Sequence, residues 1–252
     1  MRDAQITEFL ESAGWAGAVR ETLAADASFR RYDRVRLGNR RAVMMDAPPE
    51  HEDIAQFINL AHHLRGLGYS APAPISANAD IGLLLLEDLG DDTFTRLLDG
   101  GADERSLYLL AIDLLIDLHR KPRERAVFAA LPPYSDQLLL EEAALLVDWY
   151  IPAVLGKSLA DKTRDRFLME WRSVLPLTRN VPETLVLRDY HVDNLIRING
   201  RDGIAACGLL DFQDAVAGPV TYDFVSLMED ARHELSETLV RELRERYLDA
   251  LP

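Results

Sequence analysis

Hydrophobic and polar residues follow mainly strand-like patterns over the first 90 residues, with two helical intervals. Two apolar-polar stretches flank a Gly38-Asn39 turn, a dipeptide typical of tight hairpins, and Pro48-Pro49 ends the second of them. A continuous apolar run, GLLLLEDL, has the length of a buried strand. The predicted elements are a helix at 4–13, strands at 27–37 and 40–48, a helix within 50–68 and a strand at 82–89.

The pattern changes to helical spacing after Gly90. One strand region interrupts the helices at 185–212, where the turn sequence NGRDG separates two apolar runs and predicts a hairpin. We therefore predict an α+β, bilobal fold, with a small strand-rich N-lobe (1–90) and a larger helical C-lobe (91–252) that contains the hairpin. The predicted C-lobe helices are 93–99, 102–121, 135–155, 159–175 and about 221–250.

Composition limits the classes of partner. The 252 residues are 48% hydrophobic and carry a net charge of −14, which argues against nucleic acid or an anionic membrane as a partner. No run reaches the roughly 18 apolar residues of a membrane span, and the N-terminus lacks the apolar core of a signal peptide. We expect a cytoplasmic monomer that acts on a small molecule. The single cysteine, Cys207, excludes an internal disulfide.

A polar cluster precedes the hairpin in the stretch LRDYHVDN. Asp189 and Asn194 lie five residues apart, and Asp211 ends the second hairpin strand. Because a hairpin brings its two ends together, Asn194 and Asp211 should be neighbours. An amide oxygen and a carboxylate suit Mg²⁺, and Asp189 would orient and deprotonate a hydroxyl. This is the arrangement of kinase-type phosphoryl transfer.

Three ordered motifs carry a family resemblance. LRDYHVDN resembles the catalytic loop H-x-D-x-x-x-x-N, LLDFQDAVAGPVTYDF resembles the metal-binding segment, and LLIDLHRKP resembles the end of the preceding helix of the aminoglycoside phosphotransferase/choline kinase superfamily. The resemblance implies a protein-kinase-like fold that uses ATP and Mg²⁺. It makes Asp189 the catalytic base and Asn194 and Asp211 the metal ligands. Asp223 would brace the loop, and the main chain of Glu87 and Leu89 would contact adenine.

Four shorter segments are similar to one bacterial branch of this superfamily, the anomeric N-acetylmuramate/N-acetylglucosamine kinases of cell-wall recycling. They are ASFRRYDRV, VMMDAPPEHED, GLLLLEDLGD and LRDYHVDNL. The branch implies a sugar kinase that phosphorylates an amino sugar at its anomeric hydroxyl. Two alternatives stay open: an aminoglycoside or choline kinase, and a nucleotide-binding pseudokinase without turnover.

The pseudokinase alternative rests on a missing lysine. Kinases bind the nucleotide phosphates with a lysine on the third N-lobe strand, but the first lysine of this chain is Lys121. We expect Arg30 or Arg31 to substitute, beside a phosphate loop at Ser28, because arginine binds phosphate in a bidentate manner. Glu52 has two interpretations, a pair with a phosphate-binding cation or, with Glu50 and Asp53, an ordinary acidic first helical turn, and the second is preferred.

Two further departures from the family pattern concern the loop and the C-terminus. Leu187 occupies the histidine position of the catalytic loop, and His191 is expected to bond nearby backbone. Members of the family usually carry more helices after the segment around Asp223, whereas this sequence ends at LRERYLDALP. We expect either a truncated product or a more open acceptor pocket.

Overall fold

The computed structural model describes residues 2–25 and 29–251. After helix α1 (Arg2–Ser12), an antiparallel five-stranded sheet forms the N-lobe, in the order β1-β2-β3-β5-β4. The Gly38-Asn39 hairpin is confirmed, because Leu37 pairs with Arg40. The strands are β1 (Val19–Ala25), β2 (Arg31–Leu37), β3 (Arg40–Asp46), β4 (Pro74–Asn78) and β5 (Leu83–Glu87).

Strand β1 was not predicted, and its position explains why. It lies at the sheet edge, where Val19 is 69% exposed and Leu23 is 38% exposed, so its side chains show little of the burial pattern of a core strand. Pairing with β2 holds it in place instead. The predicted apolar run, by contrast, is the interior strand β5, in which Leu83 and Leu84 are fully buried.

Helix α2 (Ile54–Gly66) packs against this sheet and begins where Asp53 accepts a hydrogen bond from the amide of Ala55, at 2.8 Å. It ends as predicted near Gly68, which has a φ of 96°. Buried Phe57, Leu60 and Leu64 join the sheet to the C-lobe core.

The C-lobe is built around helix α4 (Glu104–His119), whose Leu114, Leu115 and Leu118 are fully inaccessible. The helix predicted at 135–155 is divided by a π-helical segment at Leu146–Tyr150. The other α-helices between β5 and the strands of the C-lobe are α3 (Phe94–Asp99), α5 (Arg123–Ala126), α6 (Asp136–Leu145), α7 (Ile151–Leu155) and α8 (Asp161–Val174).

Two small antiparallel sheets interrupt the helices. Strands β7 (Leu195–Arg197) and β8 (Cys207–Leu209) form the predicted hairpin, whereas β6 (Glu183–Val186) pairs with β9 (Val216–Pro219). The residues between β6 and β7 form the polar loop, and those between β8 and β9 carry Asp211.

The single closing helix predicted for 221–250 is wrong. The chain forms α9 (Tyr222–Met228), a break, and α10 (Glu237–Ala250). In the break, the buried carboxylate of Asp230 accepts hydrogen bonds from the amides of Val192 and Arg232, at 3.3 and 3.0 Å. Ser236 then caps α10. The bond to Val192 in a distant loop, together with the local bond to Arg232, outweighs the helical pattern of the sequence.

The loop that joins α2 to β4 ties the hairpin to the N-lobe. The amide of Leu209 donates to the carbonyl oxygen of Ser70 at 3.0 Å, and the Ser70 hydroxyl donates to the carbonyl oxygen of Ala205 at 2.6 Å. Within the hairpin, Gly208 leaves room for the opposite strand, because a Cβ there would lie 2.5 Å from the Cγ2 of Ile196. The hairpin is therefore fixed relative to the sheet.

Candidate active site

A cavity of about 590 Å³ lies between the N-lobe sheet and the loops of the C-lobe. This volume is in the range of small-molecule sites. Its N-lobe wall includes Val43 and Leu86, and its C-lobe wall includes the polar loop and the segment after β8. Of the residues predicted for the site, it contains Glu87, Leu89, Asp189, Asn194 and Asp211.

Asp189 follows a residue with a strained backbone. Arg188 has a φ of 69°, in the left-handed region that a non-glycine residue enters at a cost of about 1–3 kcal/mol. The two carboxylate oxygens of buried Asp223 accept hydrogen bonds from the amides of Leu187 and Arg188, at 2.7 and 3.0 Å. These two hydrogen bonds hold the turn that presents Asp189 to the cavity.

The Asp189 carboxylate remains about half exposed, at 48% of its side-chain surface. Burial of the remainder, and then the neighbouring carboxylate of Asp211, raise the pKa of Asp189 above its ordinary value. A raised pKa makes this carboxylate a stronger proton acceptor than a fully solvated aspartate.

Asn194 and Asp211 meet as the hairpin predicts, since the amide of Leu210 donates to the carbonyl oxygen of Asn194 at 2.9 Å. The Asn194 side-chain nitrogen donates to the carbonyl oxygen of Asp189 at 3.1 Å and lies 3.2 Å from His191 Nε2, which leaves the amide oxygen for a ligand. Asp211 has a φ of 53°, and its Oδ1 accepts from Gln213 at 2.9 Å.

The chemistry of this donor set fits Mg²⁺. Asp211 Oδ2 accepts no hydrogen bond from residues 2–25 or 29–251, so one carboxylate oxygen and one amide oxygen are available. Within those ranges, no three His, Cys, Asp or Glu side chains group in a way that could hold a metal. Two hard protein oxygens, completed by water and phosphate, are a usual magnesium set.

The two candidate arginines occupy different environments. Arg30 is buried, and its Nη2 lies 3.4 Å from Asp211 Oδ1. Arg31 is exposed at the start of β2. Ser28 lies outside the described residues. On β3, Val43 lines the cavity, and Met45, two residues further along the strand, lies on the same face and is buried.

Glu52 was assigned to an ordinary acidic turn, and this interpretation is wrong. Its Oε1 lies 3.6 Å from the Nε of Arg30. Arg30 therefore bridges Glu52 at the start of α2 and Asp211 in the C-lobe. The other interpretation, a pair between Glu52 and a phosphate-binding cation, agrees with this contact, which the sequence could not decide because it depends on how α2 packs on the sheet.

The connection between β5 and α3 closes the far end of the cavity. Both main-chain polar groups of Leu89 are without hydrogen bonds to the described part of the chain. The Glu87 side chain binds Arg65 and Arg201, so it fastens this connection to α2 and to the hairpin turn. Buried Arg34 binds Asp88 and Asp91, with a shortest distance of 2.8 Å to Asp88.

Gln213 and His191 were not identified as site residues from the sequence. Gln213 is buried, and its side-chain nitrogen donates to Asp211 Oδ1, while Gln56 of α2 donates to its carbonyl oxygen at 2.8 Å. His191 is buried with its Nε2 4.0 Å from Asp189 Oδ1. Its position, two residues after Asp189, was the only available signal.

Another concavity, of about 660 Å³, lies between α9 and α10. Charged side chains from the break between these helices and from α10 line it, and it contains none of the predicted site residues. No helix in the described part of the chain is long and apolar enough to cross a bilayer.

Comparison with known proteins gives two kinds of match. The phosphotransferase enzyme family matches residues 19–252. The chain is 32% identical over 287 residues to the N-acetylmuramate/N-acetylglucosamine kinase of Caulobacter vibrioides, covering 100% of this chain and 78% of that protein. It is 36% identical over 253 residues to the Pseudomonas aeruginosa protein of the same name, covering 97% of this chain and 70% of that protein.

Solved structures share the fold at lower identity. The ADP-bound aminoglycoside phosphotransferase APH(2'')-Ib superposes with a TM-score of 0.67 at 19% identity, over 98% of this chain and 82% of that one. The choline kinase LicA from Streptococcus pneumoniae gives 0.68 at 12% identity, over 100% of this chain and 82% of that one. The predicted bilobal, protein-kinase-like α+β fold is confirmed. The chain belongs to the phosphotransferase enzyme family.

Proposed function

We propose that this protein is an ATP- and Mg²⁺-dependent sugar kinase that transfers the γ-phosphate to the anomeric hydroxyl of N-acetylmuramate or N-acetylglucosamine. The observation that carries the proposal is the convergence of Asp189, Asn194 and Asp211 on one cavity of nucleotide size. The names of the relatives at 32% and 36% identity support the choice of acceptor.

Asp189 is the general base of the proposed reaction. It orients the anomeric hydroxyl and accepts its proton as the oxygen attacks the γ-phosphate. An anomeric hydroxyl is more acidic than an ordinary alcohol, so a carboxylate is a sufficient base. The raised pKa of Asp189 brings the base closer to the acidity of its substrate.

Asn194 and Asp211 hold Mg²⁺ through their free side-chain oxygens. Held there, Mg²⁺ would neutralise negative charge on the nucleotide phosphates. Arg30 supplies the fixed cation that a lysine supplies in other kinases, and its ion pair with Glu52 keeps it beside Asp211. The contact with Asp211 favours Arg30 over Arg31, which is exposed. Arg30 lies close in sequence to the proposed phosphate loop at Ser28.

The remaining assignments follow the same scheme. The main chain of Glu87 and Leu89 contacts adenine at the junction of an N-lobe (1–90) and a C-lobe (91–252). The protein acts as a cytoplasmic monomer on a small amino sugar, without nucleic acid or membrane partners. The net charge of −14 supports the absence of polyanionic partners.

A panel of acceptors tests the proposal. The purified chain is incubated with ATP and Mg²⁺ and with N-acetylmuramate, N-acetylglucosamine, choline or kanamycin, and the products are identified by ³¹P NMR. We expect a sugar 1-phosphate from the amino sugars alone. Phosphorylation of choline or kanamycin instead, or ATP binding without transfer to any acceptor, would contradict the assignment.

Two adjacent arginines give a matched pair for the phosphate contact. Arg30→Ala and Arg31→Ala remove the same charge at neighbouring positions, one buried and one exposed. We expect Arg30→Ala to lower kcat/KM for ATP about 100-fold, as the loss of a charge-assisted phosphate contact in a water-poor site does. Arg31→Ala should change it less than about threefold. Equal losses in both variants would remove Arg30 from its role.

A further inference from the structure

Two consecutive residues before β2 contact two consecutive residues before α2. The Phe29 ring stacks on the imidazole of His51, with ring centroids 4.0 Å apart and an interplanar angle of 17°. The next residue along each segment forms an ion pair, between Arg30 and Glu52 at 3.6 Å. The phosphate-loop side of β2 is therefore fastened to the start of α2 by an aromatic contact and by an ionic one.

The segment that presents His51 is held in place by its own backbone. The amides of His51 and Glu52 both donate to the carbonyl oxygen of Pro48, at 2.9 and 3.0 Å. The preceding residue, Ala47, donates its amide to the carbonyl oxygen of Gly82 at 2.8 Å. These hydrogen bonds fix the backbone at His51, and the Phe29 ring packs against the imidazole that this backbone presents.

The stack lies directly before the buried arginine. Phe29 is 63% exposed, whereas Arg30 is 7% exposed and its Nη2 lies 3.4 Å from Asp211 Oδ1. The backbone of these two residues is therefore held by the ring contact of Phe29 and by the ion pairs of Arg30. Binding phosphate with a mobile arginine costs conformational entropy. A contact that already fixes the backbone beside Arg30 lowers this cost.

We propose that the Phe29–His51 stack is a positioning element for the nucleotide phosphates, and that His51 acts through its aromatic surface and not as an acid or base. The inference rests on the proposed function, because it takes Arg30 to be the phosphate-binding cation. It adds two positioning residues that contact neither the acceptor nor the reacting atoms.

Four variants test the stack: His51→Ala, Phe29→Ala, the double variant and His51→Phe. We expect His51→Ala to weaken ATP binding and raise KM for ATP, each about 3–10-fold, the range of an aromatic pair. KM for the sugar should not change. Phe29→Ala and the double variant should show the same loss as His51→Ala, because all three remove one interaction.

His51→Phe is the conservative variant and should restore ATP binding to within about twofold, since phenylalanine keeps a flat ring at this position. His62→Ala, an exposed histidine of α2, is the matched control and should bind ATP as the unaltered protein does. Binding is measured by calorimetry with Mg²⁺-ATP in the absence of sugar, and urea midpoints verify that each variant is folded.

Two results would overturn the inference alone. One is unchanged ATP binding in His51→Ala, and the other is a loss in His51→Phe as large as in His51→Ala, which would assign the role to the imidazole nitrogens. If the unaltered chain bound no ATP, the proposed function would fail together with the inference.

Discussion

Replacing Asp223 with asparagine tests how the catalytic loop is held. At pH 8, above the pKa of about 7 that burial gives this carboxyl, both oxygens of Asp223 accept backbone amides. Asparagine has one acceptor oxygen and directs its NH₂ group at the second amide. A buried donor is then left without a partner, and the remaining hydrogen bond loses its charged acceptor.

The cost of Asp223→Asn follows from these two effects: the remaining hydrogen bond is weakened by about 1 kcal/mol, the difference between a charged and a neutral acceptor, and one donor is left unpaired. The unpaired buried donor costs about 1–3 kcal/mol, so together with the weakened bond we expect about 2–4 kcal/mol less stability. With a urea m-value of about 3 kcal/mol/M, the unfolding midpoint falls by roughly 0.7–1.3 M. Asp223→Ala, which removes both acceptors, should lose more.

The same variant should also reduce catalysis. Without its brace, Arg188 can leave the left-handed region, and Asp189 then moves from its position. Displacement of a reacting group by about 1 Å lowers the rate about 100-fold, which is the decrease in kcat that we expect. Asp202→Asn, in the hairpin turn, is the control, with less than about 0.5 kcal/mol lost. A midpoint unchanged in Asp223→Asn would refute the proposed brace.

Two further predictions concern backbone geometry and pH. Gly82→Ala should lower the free energy of unfolding, measured in urea, by more than about 3 kcal/mol, because φ is 62° and a Cβ would lie 1.8 Å from the carbonyl oxygen of Ala47. The control Gly38→Ala has a φ of 58° and nothing within 4 Å of its Cβ, so it should lower that free energy by only about 1–2 kcal/mol. Similar losses in both would contradict the assigned clash. The negative charge of Asp214 contributes to the raised pKa of Asp189, so Asp214→Asn should lower that pKa and move the acid limb of the kcat/KM profile to lower pH. An acid limb that stays in place or moves to higher pH would show that another group controls it.

Local turn chemistry made much of the site predictable from the sequence. Two turn dipeptides lie between the apolar runs of the hairpin, so the adjacency of Asn194 and Asp211 follows from a short-range rule. The interior strand β5 was predictable for a similar reason, since a strand covered on both faces is a continuous apolar run.

Contacts between distant residues account for what the sequence did not predict. Arg30 and Arg31 are adjacent and chemically identical, and the fold alone decides that Arg30 reaches Asp211. Asp230 breaks the last helical stretch by bonding to Val192, which lies 38 residues earlier. Each outcome depends on tertiary packing, which overrides local propensity.

The central claim is that Asp189 is the base for transfer to an amino sugar, and single-turnover transfer by Asp189→Asn tests it most directly. Asparagine keeps the shape of the side chain but accepts no proton. With ATP, Mg²⁺ and N-acetylmuramate, we predict that the transfer rate falls about 10²–10⁴-fold while the dissociation constant of ATP changes less than about threefold. A transfer rate in Asp189→Asn within about threefold of the unaltered protein would contradict the account.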